Sequence, residues 1–499
     1  MPRSYLLLVF LTALAFVTTA CSVGPKYQKP AVQVPAGYKE LNGWKVAQPS
    51  DAVPRDKWWE IFQDAQLNAL AEQINVSNQT LAIAEAQLRG ARAAVNVARA
   101  ALFPTITGRI TLAGSRQSLH RTGASDNASE VPRADYILPA IEMSYEADVW
   151  GRIRHNVAAN IASAQASAAD LETARLSLQA ELAVNYFTLL GLDAQKQLLD
   201  FIIAAFERAL ELTTNRYNQG VASQIEVLQA RTQLESTRAQ AIDVGVQRAR
   251  FEHAIAILLG KAPAEFSLPP TAAPVRLPEI PAGLSVRPAD IPGGIPILMQ
   301  PPPIPVGLPS ELLERRPDIA AAERRVVTAN EQIGIAQAAF FPTVTLTSAL
   351  GLESSSLTNL FSLPSVLWSL GSTVTQIAFD AGRRKAVSEQ AQAAYDATVA
   401  TYRQTVLTAF QGVEDNLAAL RILEEEALQQ DKAVRTAETT LIIALNRYRG
   451  GVTTYLEVVT AQSAALTAAR TAVDLWTRRM TAAILLVRAL GGGWQAASN

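Results

Sequence analysis

The sequence predicts a mostly α-helical chain with a small β part, built as two copies of one plan. Three observations predict it. The stretch NRYRGGVTTYLEVVTAQ at 446–462 has an earlier copy, NRYNQGVASQIEVLQAR at 215–231, with eight of seventeen positions identical. Each copy sits between two long runs of helical apolar spacing, with a glycine at the break. Four short stretches alternate apolar and polar residues with the period of two that strands require.

Residues 1–20 read as a secretory signal: Arg3 is the positive start, Tyr5 to Val17 is apolar, and Thr18, Thr19 and Ala20 are small. Cys21, the only cysteine, follows directly and reads as an acylated N-terminus; the alternative is a signal cut elsewhere. No intramolecular disulfide is possible. Ser22, rather than Asp, gives no reason to expect retention at the inner membrane. No later apolar run reaches the ~18 residues of a membrane helix. Residues 21–65 form a proline-rich tether ending in the aromatic anchor Trp58, Trp59, Phe62.

The first repeat spans 66–262. A helix is expected over 66–101 from Leu67, Leu70, Ile74, Leu81, Leu88 and Val95, and Phe103-Pro104 stops it. Residues 105–115 make a strand with Ile106, Ile110 and Leu112 on one face and Thr105, Thr107, Arg109 and Thr111 on the other. Residues 136–148 make a second strand, with Ile137, Ile141, Met143 and Tyr145 on its apolar side and Leu138 and Glu142 on the opposite side. A long helix from Arg152 to about Tyr217 follows, then a hairpin tip near 217–226 and a second helix to about Gly260. Residues 263–309 hold fourteen of the 26 prolines and form an extended connector.

The second repeat, 310–490, follows the same order. Phe341-Pro342-Thr343 echoes Phe103-Pro104-Thr105, strands are expected at 343–352 and 366–380, and a hairpin tip near 448–457. Asp380-Ala381-Gly382-Arg383 echoes Asp148-Val149-Trp150-Gly151-Arg152 loosely, and 491–499 is a tail.

Four strands with one apolar face cannot close a membrane barrel, since the smallest have about eight. An open edge is not viable in lipid. A soluble sheet packed on helices is the alternative, but the threonine-rich and charged opposite face suits a water-filled lumen. Two chains would supply eight strands and a filled interior; three would supply twelve and an aqueous passage. Helices of about 65 residues are roughly 100 Å long and need coiled-coil partners.

The chain resembles the outer-membrane channel proteins of tripartite efflux systems, in their lipoprotein (NodT-type) branch. The likeness is carried by Cys21 to Pro30 (CSVGPKYQKP), Trp58-Trp59 with Phe62 and Leu67, both RYxxGV tips, and 308–319, LPSELLERRPDI. It covers essentially the whole mature chain. It implies a homotrimer with a twelve-stranded outer-membrane β-barrel, four strands per chain, continuous with a long periplasmic α-helical barrel and an equatorial belt that would take the connector. It also implies partners: outer-membrane lipid, a periplasmic adaptor and an inner-membrane pump, most naturally of the proton-driven resistance-nodulation-division (RND) class. The outlet of a type I protein-secretion system is the alternative within transport. A lipid-anchored structural coiled-coil protein without a pore is the alternative outside it.

Charge is balanced, 44 basic against 45 acidic residues, so nucleic acid is not an expected partner. No catalytic constellation, phosphate loop or metal-ligand spacing occurs, so no enzyme activity, metal or cofactor is expected. His120, His155 and His253 are read as structural. By the resemblance, the periplasmic gate falls on Glu457, Thr460, Glu226, Tyr448 and Gln224. Glu457 takes an acidic-ring position, Thr460 stands where aspartate is common, and Tyr448 takes a bridging position, with Glu226 or Gln224 as its partner. The simpler reading of both glutamates is a solvated helix face. Arg216, Tyr217, Gly220, Arg447 and Gly451 lie on the hairpin ends that an adaptor would meet; turn geometry accounts for the glycines equally well.

Overall fold

The computed structural model describes residues 22–40, 57–115, 133–271, 275–276, 295–296, 300–304 and 315–492. The signal, Cys21, most of the proline-rich connector and the beginning of the 308–319 stretch lie outside the described residues. No described helix is long and apolar enough to cross a membrane.

Among the described residues three helices of one half match three of the other in length. Helix α1 (Ala65–Ser77) leads to α2 (Gln79–Ala100), strands β1 (Thr105–Ser115) and β2 (Arg133–Ala147), then α3 (Arg152–Asn218) and α4 (Gln224–Leu258). The second half runs α5 (Pro317–Ala338), β3 (Thr343–Ser354), β4 (Val366–Thr375), α6 (Arg383–Arg449) and α7 (Tyr455–Ala489). Helices α2 and α5 both have 22 residues, α3 and α6 both have 67, and α4 and α7 both have 35. A 67-residue helix is about 100 Å long.

The helix expected over 66–101 is two helices. Asn78 leaves the helical conformation with ψ 123°, and its Oδ1 accepts the Leu81 N–H at 3.0 Å, starting α2. Its Nδ2 donates to the Leu258 carbonyl at the end of α4. Apolar spacing runs unbroken across this point, so periodicity does not register a one-residue break.

The chain divides into two compact units, residues 1–31, 86–168 and 321–403 in one, residues 32–85, 169–320 and 404–499 in the other. The first unit contains an antiparallel sheet in the order β1-β2-β3-β4. Strand β2 pairs with both β1 and β3, and β3 with β4. Register settles the faces. One row is Thr105, Ser144, Thr347 and Gly371; the next is Thr107, Glu142, Ala349 and Ser369. On the opposite face Ile141 and Leu350 share a row with Trp368. Arg109 pairs with Glu142 across the polar face.

The register slips between Leu138 and Ile141, a bulge at Pro139. This corrects the expected faces of β2. Ile137 pairs with Thr111 and Glu353, in the polar rows, whereas Leu138 pairs with Leu352, in an apolar one. An inserted residue reverses the parity of everything beyond it, and proline lacks the N–H that would hold the ladder. Strand β4 also stops earlier than expected, at Thr375 rather than 380. Its last partner is Thr343, and Pro342 precedes it, so no ladder remains to pair with.

Beyond the strands, two aspartates do one job. Asp148 accepts the N–H groups of Ile153 and Arg154, both at 2.9 Å, at the start of α3. Asp380 accepts those of Gly382 and Arg384, both at 3.1 Å, at the start of α6. The Arg384 side chain, then these N–H groups, hold the Asp380 carboxyl below its usual range. The loose echo of DVWGR in DAGR is thus a repeated helix start.

In the same unit, His155 sits between Glu331 (2.5 Å from Nδ1) and the Val23 carbonyl and Ser22 hydroxyl (3.1 and 2.9 Å from Nε2). Asn330 donates to the Pro25 carbonyl and Lys29 pairs with Glu323. The start of the tether is thereby fastened to α3 and α5.

The second unit has an aromatic centre. Trp58, Trp59, Phe62, Phe187 and Trp476 are buried, with Phe62 and Phe187 rings 5.1 Å apart and Phe187 and Trp476 6.2 Å apart. Trp58 donates to Gln179, and the Tyr186 hydroxyl donates to Asp64. The expected aromatic anchor is therefore a core element. Within the RRPD part of the 308–319 stretch, Arg316 pairs with Asp318 and donates to the Ala489 carbonyl at 2.7 Å, satisfying an otherwise unpaired group at the end of α7.

Candidate functional site: the paired hairpin tips

Both tips are built the same way. A long helix ends, a glycine takes the left-handed conformation, and the next helix begins. Gly220 has φ 73° and Gly451 has φ 74°. The N–H of Val221 returns to the Arg216 carbonyl at 2.8 Å, and that of Val452 to the Arg447 carbonyl at 2.9 Å. These equivalent bonds close each α3–α4 and α6–α7 turn, and a side chain at either glycine would strain the closure. The tips lie between 218 and 224 and between 449 and 455.

The tips are joined at Tyr448. Its ring is buried, at 2% exposure, among Leu441, Leu445, Val458 and Ala230. It stands edge-on to Tyr455, with centroids 5.2 Å apart. Its hydroxyl donates to Glu226 Oε2 at 2.9 Å, linking the last turn of α6 to the first turn of α4. Arg216, from the end of α3, completes the link. Its guanidinium lies 4.6 Å from the Tyr448 ring centroid and donates to the Tyr448 carbonyl at 3.2 Å. Burial, reinforced by the hydrogen bond and charge of Glu226, raises the Tyr448 phenol above its ordinary pKa. Burial raises Tyr455 likewise. Both hydroxyls therefore stay protonated at neutral pH, and Tyr448 stays a donor.

Of the two expected partners of Tyr448, the structure uses Glu226. Gln224 is exposed and makes no bond to Tyr448 among the described residues. Arg216 was expected to meet a partner at the hairpin end; it faces inward, onto Tyr448. Its repeat equivalent Arg447, set in the same Asn-Arg-Tyr run, is exposed.

Glu226 and Glu457 are also repeat equivalents with different surroundings. Glu226 bonds Tyr448, and its Oε1 accepts the Ser223 N–H at 3.4 Å. Glu457 is exposed, and its side chain makes no hydrogen bond or ion pair among the described residues. Thr460 is exposed one turn on, its hydroxyl donating to the Leu456 carbonyl at 2.9 Å. Around them the tips present apolar side chains to solvent at matched positions: Val221 with Val452, and Ile225 with Leu456. Tyr217 is also exposed. Sequence reading missed this apolar surface, although Val221 and Val452 are identical in the two repeats and stand at a turn, where burial is not expected. No cluster among the described residues is suited to hold a metal ion.

The family model for outer membrane efflux proteins matches residues 70–261 and 308–492. The chain belongs to the outer membrane efflux protein family. The two matched segments coincide with the two repeats. Among relatives of this efflux protein, the probable efflux pump outer membrane protein TtgC of Pseudomonas putida is 30% identical over 493 residues, covering 98% of this chain and 96% of that protein. Outer membrane protein OprJ of Pseudomonas aeruginosa is 31% identical over 481 residues, 96% of this chain and 95% of that protein. The structure of the outer-membrane channel OprN matches with a TM-score of 0.83 at 28% identity, over 95% of this chain and 100% of that one. The open state of the Neisseria gonorrhoeae MtrE channel matches with a TM-score of 0.76 at 26% identity, over 95% and 99%.

Proposed function

We propose that three copies of this chain form the passive exit duct of a tripartite efflux pump of the RND type, passing small molecules from the periplasm through the outer membrane. The sheet carries the reading. Among the described residues its edge strands β1 and β4 are each paired on one side only, and one face exposes Ile106, Leu112, Leu350, Trp368 and Leu370. Edge strands of 11 and 10 residues suit a tilted membrane crossing. Lipid on the apolar face and neighbouring copies at both edges satisfy these groups together, and twelve strands leave a passage on the threonine-lined side.

The tips form the gate in this reading. The Tyr448–Glu226 bond and the Arg216 contact hold the α6–α7 hairpin against the α3–α4 hairpin. Opening separates them. Glu457, which has no partner of its own, projects with Thr460 toward the opening, and three copies make one ring of carboxylates that favours cations. Tyr217, Val221, Arg447 and Val452 form the surface for a periplasmic adaptor, with Gly220 and Gly451 shaping it. Cys21, acylated, anchors the chain to the inner leaflet of the outer membrane.

The test is single-channel conductance of the purified protein in planar bilayers, with restoration of drug export in a strain lacking its own outer-membrane duct. Trimeric particles without conductance would leave a structural coiled-coil protein. Restoration of protein secretion in place of drug export would point to a type I outlet.

A further inference from the structure

The turn between β3 and β4, residues 355–365, is built the reverse of an ordinary surface loop. Its polar groups bond to one another. The Asn359 carbonyl accepts the Ser362 N–H (3.1 Å), the Ser362 hydroxyl (2.6 Å) and the Ser365 hydroxyl (2.7 Å). Ser356 and Thr358 share a hydroxyl bond of 2.7 Å, and the Ser354 hydroxyl donates to the Ser356 carbonyl at 2.8 Å. Leu360 is buried, yet Leu357, Phe361 and Leu363 are 58%, 79% and 88% exposed. In water these hydroxyls have solvent to bond and the three apolar side chains have reason to fold inward. At a lipid boundary the preference reverses, because an unsatisfied polar group there costs several kcal/mol.

Charge agrees with this. No Asp, Glu, Lys, Arg or His occurs between Glu353 and Asp380. The equivalent stretch between β1 and β2 carries Arg116, His120, Arg121, Asp126 and Glu130. Position agrees as well. Strand β3 follows α5 and β4 leads into α6, so the turn lies at the end of the sheet away from the helices. Leu352 pairs with Val366 and Leu350 with Trp368, so the apolar face continues up to the turn.

We propose that this turn is a membrane anchor: Leu357, Phe361 and Leu363 enter the outer-leaflet lipid at the headgroup–acyl boundary and extend the lipid contact beyond the strands. The proposal rests on the reading of the sheet as a barrel wall with its helices in the periplasm. Three copies would place three such anchors around one barrel.

The experiment is site-directed spin labelling of the full chain in phosphatidylethanolamine–phosphatidylglycerol vesicles. Phe361→Cys and Leu363→Cys carry the labels, with Leu370→Cys as the apolar-face reference and Thr345→Cys as the polar-face reference. The unsubstituted chain, whose one cysteine is Cys21, sets the background. Collision rates with oxygen and with a neutral nickel chelate give the depth. At 361 and 363 the oxygen-to-nickel ratio is expected to lie between that of Leu370→Cys, which sits deeper at mid-strand, and that of Thr345→Cys, and to exceed the latter severalfold. Nickel access equal to that at Thr345→Cys places the turn in water or in the channel mouth and overturns the proposal. Protection from both reagents means a protein contact, such as a neighbouring copy, and also overturns it. A nickel-accessible label at Leu370→Cys refutes the barrel reading itself, which separates the two failures.

Discussion

Replacing Tyr448 by phenylalanine tests the proposed gate with the smallest possible change. The ring remains, and with it the edge contact to Tyr455 and the Arg216 guanidinium 4.6 Å from the centroid. Only the hydroxyl is lost, and with it the 2.9 Å bond to Glu226. Hydrogen bonds to charged groups contribute ~1.5–3 kcal/mol when well buried. Here the phenol is buried but Glu226 is half-exposed at a tip, so a coupling of about 1–2 kcal/mol per chain is expected. Glu226→Gln keeps the shape and weakens the acceptor; Glu226→Ala removes it. A double-mutant cycle between position 448 and position 226 isolates the pair. If three independent copies hold the closed state, the sum of ~3–6 kcal/mol shifts the open-to-closed ratio between about 10²- and 10⁴-fold. The assay is open probability and conductance in planar bilayers for the wild type, both single variants and the double variant. The reasoning is refuted if Tyr448→Phe leaves both unchanged, or if the two substitutions prove additive.

Other outcomes follow from the same geometry. Glu457→Lys is expected to remove or invert the cation preference in salt-gradient reversal potentials, while Glu226→Lys, whose wild-type carboxylate is occupied by Tyr448, mainly opens the tip; an unchanged reversal potential for Glu457→Lys would exclude the acidic ring. For pH, the Tyr448 pKa is raised in the folded tip. Its stabilisation is therefore fully present below the unfolded tyrosine pKa of about 10 and is lost as pH rises through the raised value. Alkaline titration up to about pH 9 should leave open probability flat with respect to this group, and any opening above it that persists in Tyr448→Phe belongs to something else. Phe187→Ala, at the centre of the aromatic core, is expected to cost ~3–5 kcal/mol, read as a lowered denaturation midpoint in detergent; a loss under about 1 kcal/mol would show that the cluster is not the core of its unit.

The sequence by itself determined the two repeats, the order of elements within them, the four strands and the glycine turns. Those features rest on interactions between residues near in the chain. Apolar spacing follows from helix and strand geometry, and a left-handed residue at 220 or 451 calls for glycine wherever the hairpin lies. Even so, purely local features can be hidden when they interrupt a pattern without shifting it, as Asn78 does between α1 and α2. The Pro139 bulge shows the converse: a visible proline whose effect on strand parity is set by the neighbouring strands.

Tertiary structure decided which copy of the shared tip residues is buried and which is left to solvent. Arg216 and Arg447 occupy equivalent positions, as do Glu226 and Glu457, yet Arg216 and Glu226 close on Tyr448 while the Arg447 and Glu457 side chains are left to solvent. Tyr448 is packed beneath the tip against Tyr455, where the first copy has Gln224, and its own repeat equivalent, Tyr217, stands outside. The duplication supplies two matching sets of Arg, Tyr and Glu. Their long-range packing against each other makes them unequal, and that inequality is what supplies a latch on one side and an unpaired carboxylate on the other.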